Sequence, residues 1–358
     1  MSASAPPAAG LVPAERLRTF LASLLTALDV PLEKARVVGD LLVEADLRGV
    51  DSHGAHLMAL YVARIRSGDL HPGADPVVIA DHGSTVHLDA GLGLGQVAGL
   101  AATRLVVERS GEHGTAVIAV REATHLGALG AYTQRAAEAG RIAMLFQNGP
   151  TFVPPYGGIS PVFSTNPLSY AVPTLVQPTI VYDIATTAVA GNKVLLAKKR
   201  GDPSIPAGWA NDEHGRPTTD TEAASVRQLQ WFGGHKGFGL GLLVELMAGV
   251  LAGSSYGHTE HTASPLHGDE RIAKGFTIVA LDPSRFMPVE EFRRRVDTLV
   301  VEIRDSARAE GVPRIWLPGE PEHHRRIERA RDGIPLPAAL VAELDGFAAE
   351  LGVSPLFE

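Results

Sequence analysis

The chain has 358 residues, 45% of them hydrophobic and 20% charged, a formal net charge of −8 and no cysteine. That length and apolar content support one large or two medium domains with a real core. The acidic balance argues against a nucleic-acid or anionic-membrane partner, and the missing thiols exclude disulfides and cysteine-ligated zinc, haem or iron–sulfur centres.

Residues 1–10 are small and Pro/Ala-rich, without a basic stretch leading into an apolar run, so no secretory signal is read. Residues 13–28 and 31–48 follow as helices with apolar stripes, Leu17, Phe20, Leu21, Leu24 and Leu25 on the first and Val37, Leu41, Leu42 and Ala45 on the second. After 51–76, strand patterns at 85–88, 115–120, 142–148 and 179–183 alternate with helix patterns at 96–110 and 128–139, which predicts an α/β layer architecture. Residues 203–221 read as turns. An apolar helix follows Lys236; Glu245 and five glycines fall in the 237–253 window, which is too short for a membrane span. A polar loop (253–271), a strand (276–281), a long amphipathic helix (289–309), a short strand (314–317) and a closing helix (336–351) complete the chain. The expectation is a soluble, cytoplasmic, globular protein in three parts, with 1–76 as a helical segment packed on the C-terminal part, 77–252 as an α/β region and 253–358 completing the lobes.

Gly93-Leu94-Gly95-Gln96-Val97-Ala98 matches the relaxed G-x-G-x-x-A dinucleotide fingerprint, with Glu112 about 20 residues on. No strand leads from that helix to the acid, so a tightly packed or ligand-approaching glycine turn is the preferred reading. Asp51-Ser52-His53-Gly54 lies between two helices, where side chains converge on a cleft. His53 can exchange a proton at neutral pH, with Ser52 or Asp51 fixing its tautomer; a helix cap beside an exposed histidine is the plainer alternative. His53 and His56 have metal-pair spacing but no third ligand nearby, and His258, His261 and His267 read as solvated, so no metal is expected.

His125 and Gly127 follow a strand's carboxyl end, the usual ligand side of α/β sheets; the alternative is a cap beside a glycine turn. Asn148 and the turn at Thr165-Asn166 offer amide and hydroxyl partners. Asp183 can accept from a ribose diol or cap the next helix. Lys236 before Gly237 suits an anion at a helix start or is a lysine snorkelling from a buried end. Pro318-Gly319-Glu320 is a turn by default. Lys198, Lys199 and Arg200 form either a 2′-phosphate site or a solvated basic turn.

In order along the chain stand Asp-Ser-His-Gly (51–54), Thr-His-Leu-Gly-Ala (124–128), Thr-Asn-Pro-Leu (165–168), Asp-Ile-Ala-Thr-Thr (183–187), Ile-Pro-Ala-Gly-Trp (205–209), Gly-Arg-Pro-Thr-Thr-Asp (215–220), Gly-Gly-His-Lys-Gly-Phe-Gly-Leu (233–240) and Leu-Pro-Gly-Glu (317–320). Together they resemble the malate/L-lactate dehydrogenase family that is distinct from the Rossmann-type enzymes and includes ureidoglycolate and sulfolactate dehydrogenases, diketogulonate reductase and piperideine-2-carboxylate reductases. The resemblance runs from about 38 to 353.

It implies a non-Rossmann NAD(P)-binding α/β fold of the sulfolactate/malate dehydrogenase type, with a mixed sheet and a mainly helical lobe from both termini. It also implies a homodimer, with cofactor binding and catalysis in 77–252, and it demotes the glycine fingerprint to scaffold. Carried over by position, His53 (supported by Ser52) or His125 is the acid/base. Asn148, Thr165, Asn166, Asp183, Ile184, Ala185, Lys236, Gly237, Pro318, Gly319 and Glu320 match cofactor-contact stretches. Leu57 and Gly127 fall in the substrate pocket. The activity implied is hydride transfer between NAD or NADP and a C=O or C=N carbon of a small molecule.

The sequence departs from the family where many members carry an arginine four residues after the His-Gly histidine; here that residue is Leu57. Either Arg48, Arg64 or Arg121 replaces the missing carboxylate clamp, as in a simple 2-hydroxy-acid dehydrogenase, or the substrate is a bulkier, less acidic ketone or cyclic imine. A catalytically silent cofactor-binding homologue is the reading from another class.

Overall fold

Five residues at the start of the chain are tied to four near its end. In the computed structural model, which describes residues 8–258 and 274–357, strand β1 (Ala8–Val12) pairs antiparallel with β11 (Ile334–Pro337), Val12 opposite Ile334. Helices α1 (Ala14–Thr26), α2 (Leu32–Leu47) and α3 (Met58–Ser67) follow β1, and α10 (Ala338–Leu351) follows β11. The stripe Leu17, Leu21, Leu24 and Leu25 is fully buried against Val38, Leu42, Met58, Tyr61 and Leu344. This is a helical lobe built from both termini.

The chain then lays down β2 (Val77–Asp81), β3 (Thr85–Asp89), α4 (Gly95–His113), β4 (Thr115–Ala123), α5 (Gly130–Glu138), β5 (Ile142–Gln147), β6 (Leu168–Val172) and β7 (Ile180–Ile184). An excursion carries α6 (Gly191–Arg200) and a small hairpin, β8 (Ala210–Asn211) and β9 (Pro217–Thr218), over a satellite core in which Phe163 and Trp231 meet edge to face at 5.6 Å. The apolar α7 (His235–Glu245) runs on into a π-helical turn at Leu246–Val250. Strand β10 (Lys274–Leu281) and helices α8 (Val289–Asp305) and α9 (Glu320–Asp332) lead back to β11.

The main sheet has seven strands in the order β2-β3-β4-β10-β5-β6-β7. Only β3 and β4 are parallel, joined by α4; every other neighbouring pair is antiparallel. Late-arriving β10 fills the centre, with Ile278 opposite both Ile118 and Leu145, and its burial on both faces accounts for its run of apolar residues. Because β10 and β6 alternate with them, β4, β5 and β7 run in one direction and bring their carboxyl ends to one end of the sheet. Helices α4 and α5 cover one face. The α7 segment covers the other, where the Thr277 hydroxyl donates to the Met247 carbonyl (2.7 Å).

Residues 314–317, expected as a strand, pair with nothing. The segment is held by the Arg314 guanidinium 4.2 Å above the Trp316 ring and by Val181 N–H donating to the Pro318 carbonyl (3.2 Å), so its extended shape comes from side-chain contacts and not from a ladder. The 203–221 excursion contains the β8–β9 hairpin as well as turns, and residues 336 and 337, expected in the closing helix, belong to β11. Among the described residues no helix is long and apolar enough to cross a membrane.

Candidate active site

At the shared carboxyl ends of β4, β5 and β7 lies a cleft of about 730 Å³, a size suited to a ligand of cofactor dimensions. His53 and Ser52 enter it from the helical lobe, and His125 and Gly127 from the loop after β4. Asn148 comes from the end of β5, Thr165 from the 164–167 turn, and Asp183, Ile184 and Ala185 from the end of β7. Lys274 opens β10, and Pro318 and Gly319 precede α9.

The His53 loop is built from below by Asp46, near the end of α2. Its carboxylate accepts the Ala55 N–H at 2.8 Å. A Cβ on Gly54 would fall 1.8 Å from Asp46 Oδ1, so only glycine lets the loop close on that carboxylate. Burial pushes the Asp46 pKa up to about 7, with the Ala55 hydrogen bond pulling it down. From the other side α9 clamps the loop: Arg329 Nη1 donates to the Asp46 carbonyl and the Asp51 carboxylate, and Arg326 pairs with Glu44 at 2.7 Å.

His53 and His125 stack with ring centroids 5.6 Å apart and planes 18° apart. Ser52 Oγ lies 2.9 Å from His53 Nδ1. The Gly127 N–H donates to His125 Nδ1 at 3.1 Å, from a backbone whose φ of +80° suits glycine. An amide N–H only donates, so Nδ1 of His125 is the acceptor and its neutral ring carries the proton on Nε2. Burial lowers both histidine pKa values, His125 most, and the Lys274 charge pushes in the same direction. Both rings are therefore neutral at pH 7, one with a fixed tautomer and one adjustable through Ser52.

Asp183 Oδ2 accepts the Gly130 N–H at 2.7 Å. A Cβ on Gly130 would lie 3.1 Å from Val181 and 3.3 Å from Asp183. The Asp183 side chain is open to the cleft, yet the protein packed round it raises its pKa to about 6, with Arg48 opposing. Gly319, at φ +87°, has room for no side chain because its Cβ would meet the Val181 carbonyl at 2.8 Å.

The Asp183 carboxylate, on which the Arg48 charge bears, the Thr165 hydroxyl and the glycines at 127, 149 and 319 line the cleft with a set of groups that fits a dinucleotide: the acid to accept from a ribose diol, the cation for phosphate.

Other residues singled out in the sequence stand elsewhere. Asn166 is fully buried behind the cleft, its amide donating to Glu245 Oε2 (2.7 Å) and the Gly241 carbonyl (2.9 Å). Glu320 accepts the Leu317 N–H (2.9 Å) and pairs with Arg304, which tethers 316–319 from outside the lining. Lys236 is exposed at the start of α7 and Gly237 packs on the Phe232 carbonyl, both away from the cleft lining. Leu57 packs on the helical-lobe core and is not part of the lining. Lys198 donates to the Glu222 carbonyl and Arg200 pairs with Asp202, outside the lining.

Of the three candidate arginines, Arg48 lines the cleft, Arg121 is paired with Asp89 at 2.8 Å, and the charge of Arg64 bears on His125 and Lys274. In the glycine fingerprint, Gly95 N–H donates to Thr124 Oγ1 (2.9 Å) and a Cβ there would sit 2.4 Å from the His125 carbonyl. Gly95 packs α4 against the His125 loop, and Gly93 packs on the Ala74 and Ala90 carbonyls. His258 is exposed, His261 and His267 lie outside the described residues, and no cluster of three metal-ligating side chains occurs among the described residues.

Ser164, from the same 164–167 turn as Thr165, lines the cleft too; Lys274 and Trp316 also line it, and no motif marks those two.

The pattern of the malate/L-lactate dehydrogenase family matches residues 12–345. The chain is 34% identical over 330 residues to the (2R)-3-sulfolactate dehydrogenase (NADP(+)) of Chromohalobacter salexigens, covering 92% of this chain and 96% of that protein. It is 33% identical over 316 residues to the Delta(1)-pyrroline-2-carboxylate/Delta(1)-piperideine-2-carboxylate reductase of Pseudomonas aeruginosa, covering 86% and 90%. The solved sulfolactate dehydrogenase of Methanocaldococcus jannaschii superimposes with a TM-score of 0.89 at 34% identity, covering 96% of this chain and 98% of that one.

Proposed function

The chain belongs to the malate/L-lactate dehydrogenase family, and on that premise we propose that its cleft moves a hydride to or from a C=O or C=N carbon with His53 and His125 handling the heteroatom. The protein is an NAD(P)-dependent dehydrogenase or reductase. The observation that carries the division of labour is the pair of stacked, neutral histidines with different hydrogen-bond states.

Arg48, Thr165 and Asp183 hold the cofactor, together with the backbone at Gly127 and Gly319. The bound reduced nicotinamide supplies the hydride. His125, with Nδ1 committed to the Gly127 N–H, presents Nε2–H to the substrate heteroatom and polarises the bond being reduced. His53 exchanges the proton: when its Nδ1–H donates to Ser52 Oγ, Nε2 is free to accept a proton from an alcohol or amine, and in the imidazolium form it returns one. Because its pKa is lowered, oxidation runs with the resting form, and reduction slows as pH rises. Replacing His53 with Asn lowers the rate about 10²- to 10⁴-fold, the usual share of a general acid/base, with cofactor affinity unchanged. A His53→Asn enzyme of undiminished rate refutes the assignment.

A homodimer and a cytoplasmic location belong to the same reading. Support for the dimer is the apolar face of α7 and its π turn, where Leu240, Leu243, Leu246, Val250 and Leu251 are 39–55% exposed, an arrangement typical of a covered surface.

A further inference from the structure

Lys274 begins β10 opposite Ala123, the last residue of β4, so the central pairing of the sheet delivers a lysine to the place where the His125 loop departs. Its side chain lines the cleft with both histidines, and Nζ stands 3.9 Å from the point a Cβ on Gly149 would occupy. A Cβ at Gly149 would also meet Ser164 Oγ at 2.7 Å, so glycine keeps a side chain out of the corner where Nζ and that hydroxyl stand. Among the described residues Nζ has no hydrogen bond and no ion pair, and no carboxylate bears on it.

The charged and titratable groups facing it are Arg64 from α3 and the two histidines. Lys274 lowers the pKa of both histidines, and Arg64 lowers that of His125 and of Lys274 itself. Burial does most to bring Lys274 down to about 7, and Arg64 adds to it. Asp69 bears on Arg64, but no carboxylate bears on Lys274; a positive group without its own counter-charge beside two neutral rings forms an arrangement that an arriving anion relieves. Leu57, packed into the helical lobe, offers no charge to such an anion.

We propose that Lys274 is the specificity-determining residue of this site: its ammonium grips an acidic group, a carboxylate, beside the C=O or C=N carbon, with Arg64 as a second positive charge, so that charged substrates are selected over uncharged ones. This rests on the dehydrogenase reading and deepens it. A charge-assisted hydrogen bond at this position is worth about 10- to 100-fold in affinity. Because an ammonium holds the anion, binding weakens as pH rises above 7, while both histidines stay neutral.

The test uses the full chain and its Lys274→Met and Lys274→Arg variants, with circular dichroism as the folding control. Calorimetry measures oxamate binding from pH 6 to 9, and steady-state kinetics with saturating reduced cofactor compare 2-oxo acids with their methyl esters. Expected results are a 10- to 100-fold loss of oxamate affinity in Lys274→Met and a loss of the acid-over-ester preference through KM. Lys274→Arg retains most of both, and its oxamate affinity stays flat across the range in which that of the wild type falls. A Lys274→Met protein that keeps oxamate affinity and the acid preference overturns the proposal, as does a wild-type enzyme that prefers esters. If cofactor binds but neither acid nor ester is reduced, the dehydrogenase reading fails, and oxamate calorimetry still decides the role of Lys274.

Discussion

Replacing Asp46 with Asn removes a charge that the fold has buried to shape the His53 loop. The carboxyl is 2% exposed, accepts the Ala55 N–H at 2.8 Å and has its pKa raised from 3.8 to about 7, chiefly by burial. Well below pH 3.8 the group is neutral in folded and unfolded chains alike, and its contribution to stability is present in full. As pH rises the unfolded chain releases the proton near 3.8 while the folded chain holds it to about 7, so that contribution drains away over this window. At about 1.4 kcal/mol per unit, the loss between pH 4.5 and 8 amounts to roughly 3 kcal/mol.

Asn keeps an acceptor for Ala55 and has no charge to release. Urea unfolding followed by tryptophan fluorescence at pH 4.5, 6 and 8 is expected to show Asp46→Asn gaining on the wild type by roughly 3 kcal/mol across the series. A difference that stays flat with pH refutes the claim that this carboxylate is buried with a raised pKa.

Other outcomes follow from the same geometry. In the wild type the reductive rate at saturating cofactor falls with rising pH and the oxidative rate climbs to a plateau once His53 is neutral, because its pKa is lowered by burial; the oxidative step disappears from the profile of His53→Asn. Trp316 lines the cleft, so binding of NADH or NADPH quenches tryptophan emission by energy transfer, and Trp316→Phe loses a major part of that quench at unchanged affinity; an undiminished quench argues that the nicotinamide-bearing ligand lies elsewhere. Leu243→Asp places a charge in the exposed face of α7 and is expected to shift the molar mass by light scattering from dimer to monomer, with the helical content retained.

How much of this was legible in the sequence depends on the range of the interactions involved. Helices α1 and α2 announce themselves because Leu17, Leu21, Leu24 and Leu25 recur at helical spacing. Strands β3, β4 and β5 do so because short apolar runs lie between turn residues. His53, His125, Thr165, Asp183 and Gly319 belong to short motifs whose order along the chain carries the resemblance, and they line one cleft with Asn148.

Helix α9 escaped detection because Glu320–Asp332 is almost entirely polar: it earns its place by clamping Asp46 and Asp51 with Arg329 and has no apolar stripe to show. β2 has no alternating burial to reveal it, since its outer residues Val77 and Val78 are exposed at the sheet edge. Lys274 is invisible for a different reason. Nothing local distinguishes it, and its position beside His125 exists only because β10 inserts between β4 and β5, pairings more than 120 residues distant in both cases. The converse holds for Lys236, whose placement at a helix start is readable but whose distance from the cleft is set by how α7 crosses the sheet.

The most direct test of hydride transfer in this cleft is a single turnover with reduced NAD or NADP carrying deuterium at C4, prepared in both stereochemical forms. The acceptors are a 2-oxo acid and a cyclic imino acid, and mass spectrometry reads the products. The account expects one deuterium on the former carbonyl or imine carbon, from one of the two labelled forms, with transfer slowed in His53→Asn. Label that stays in the bound cofactor with both acceptors contradicts it.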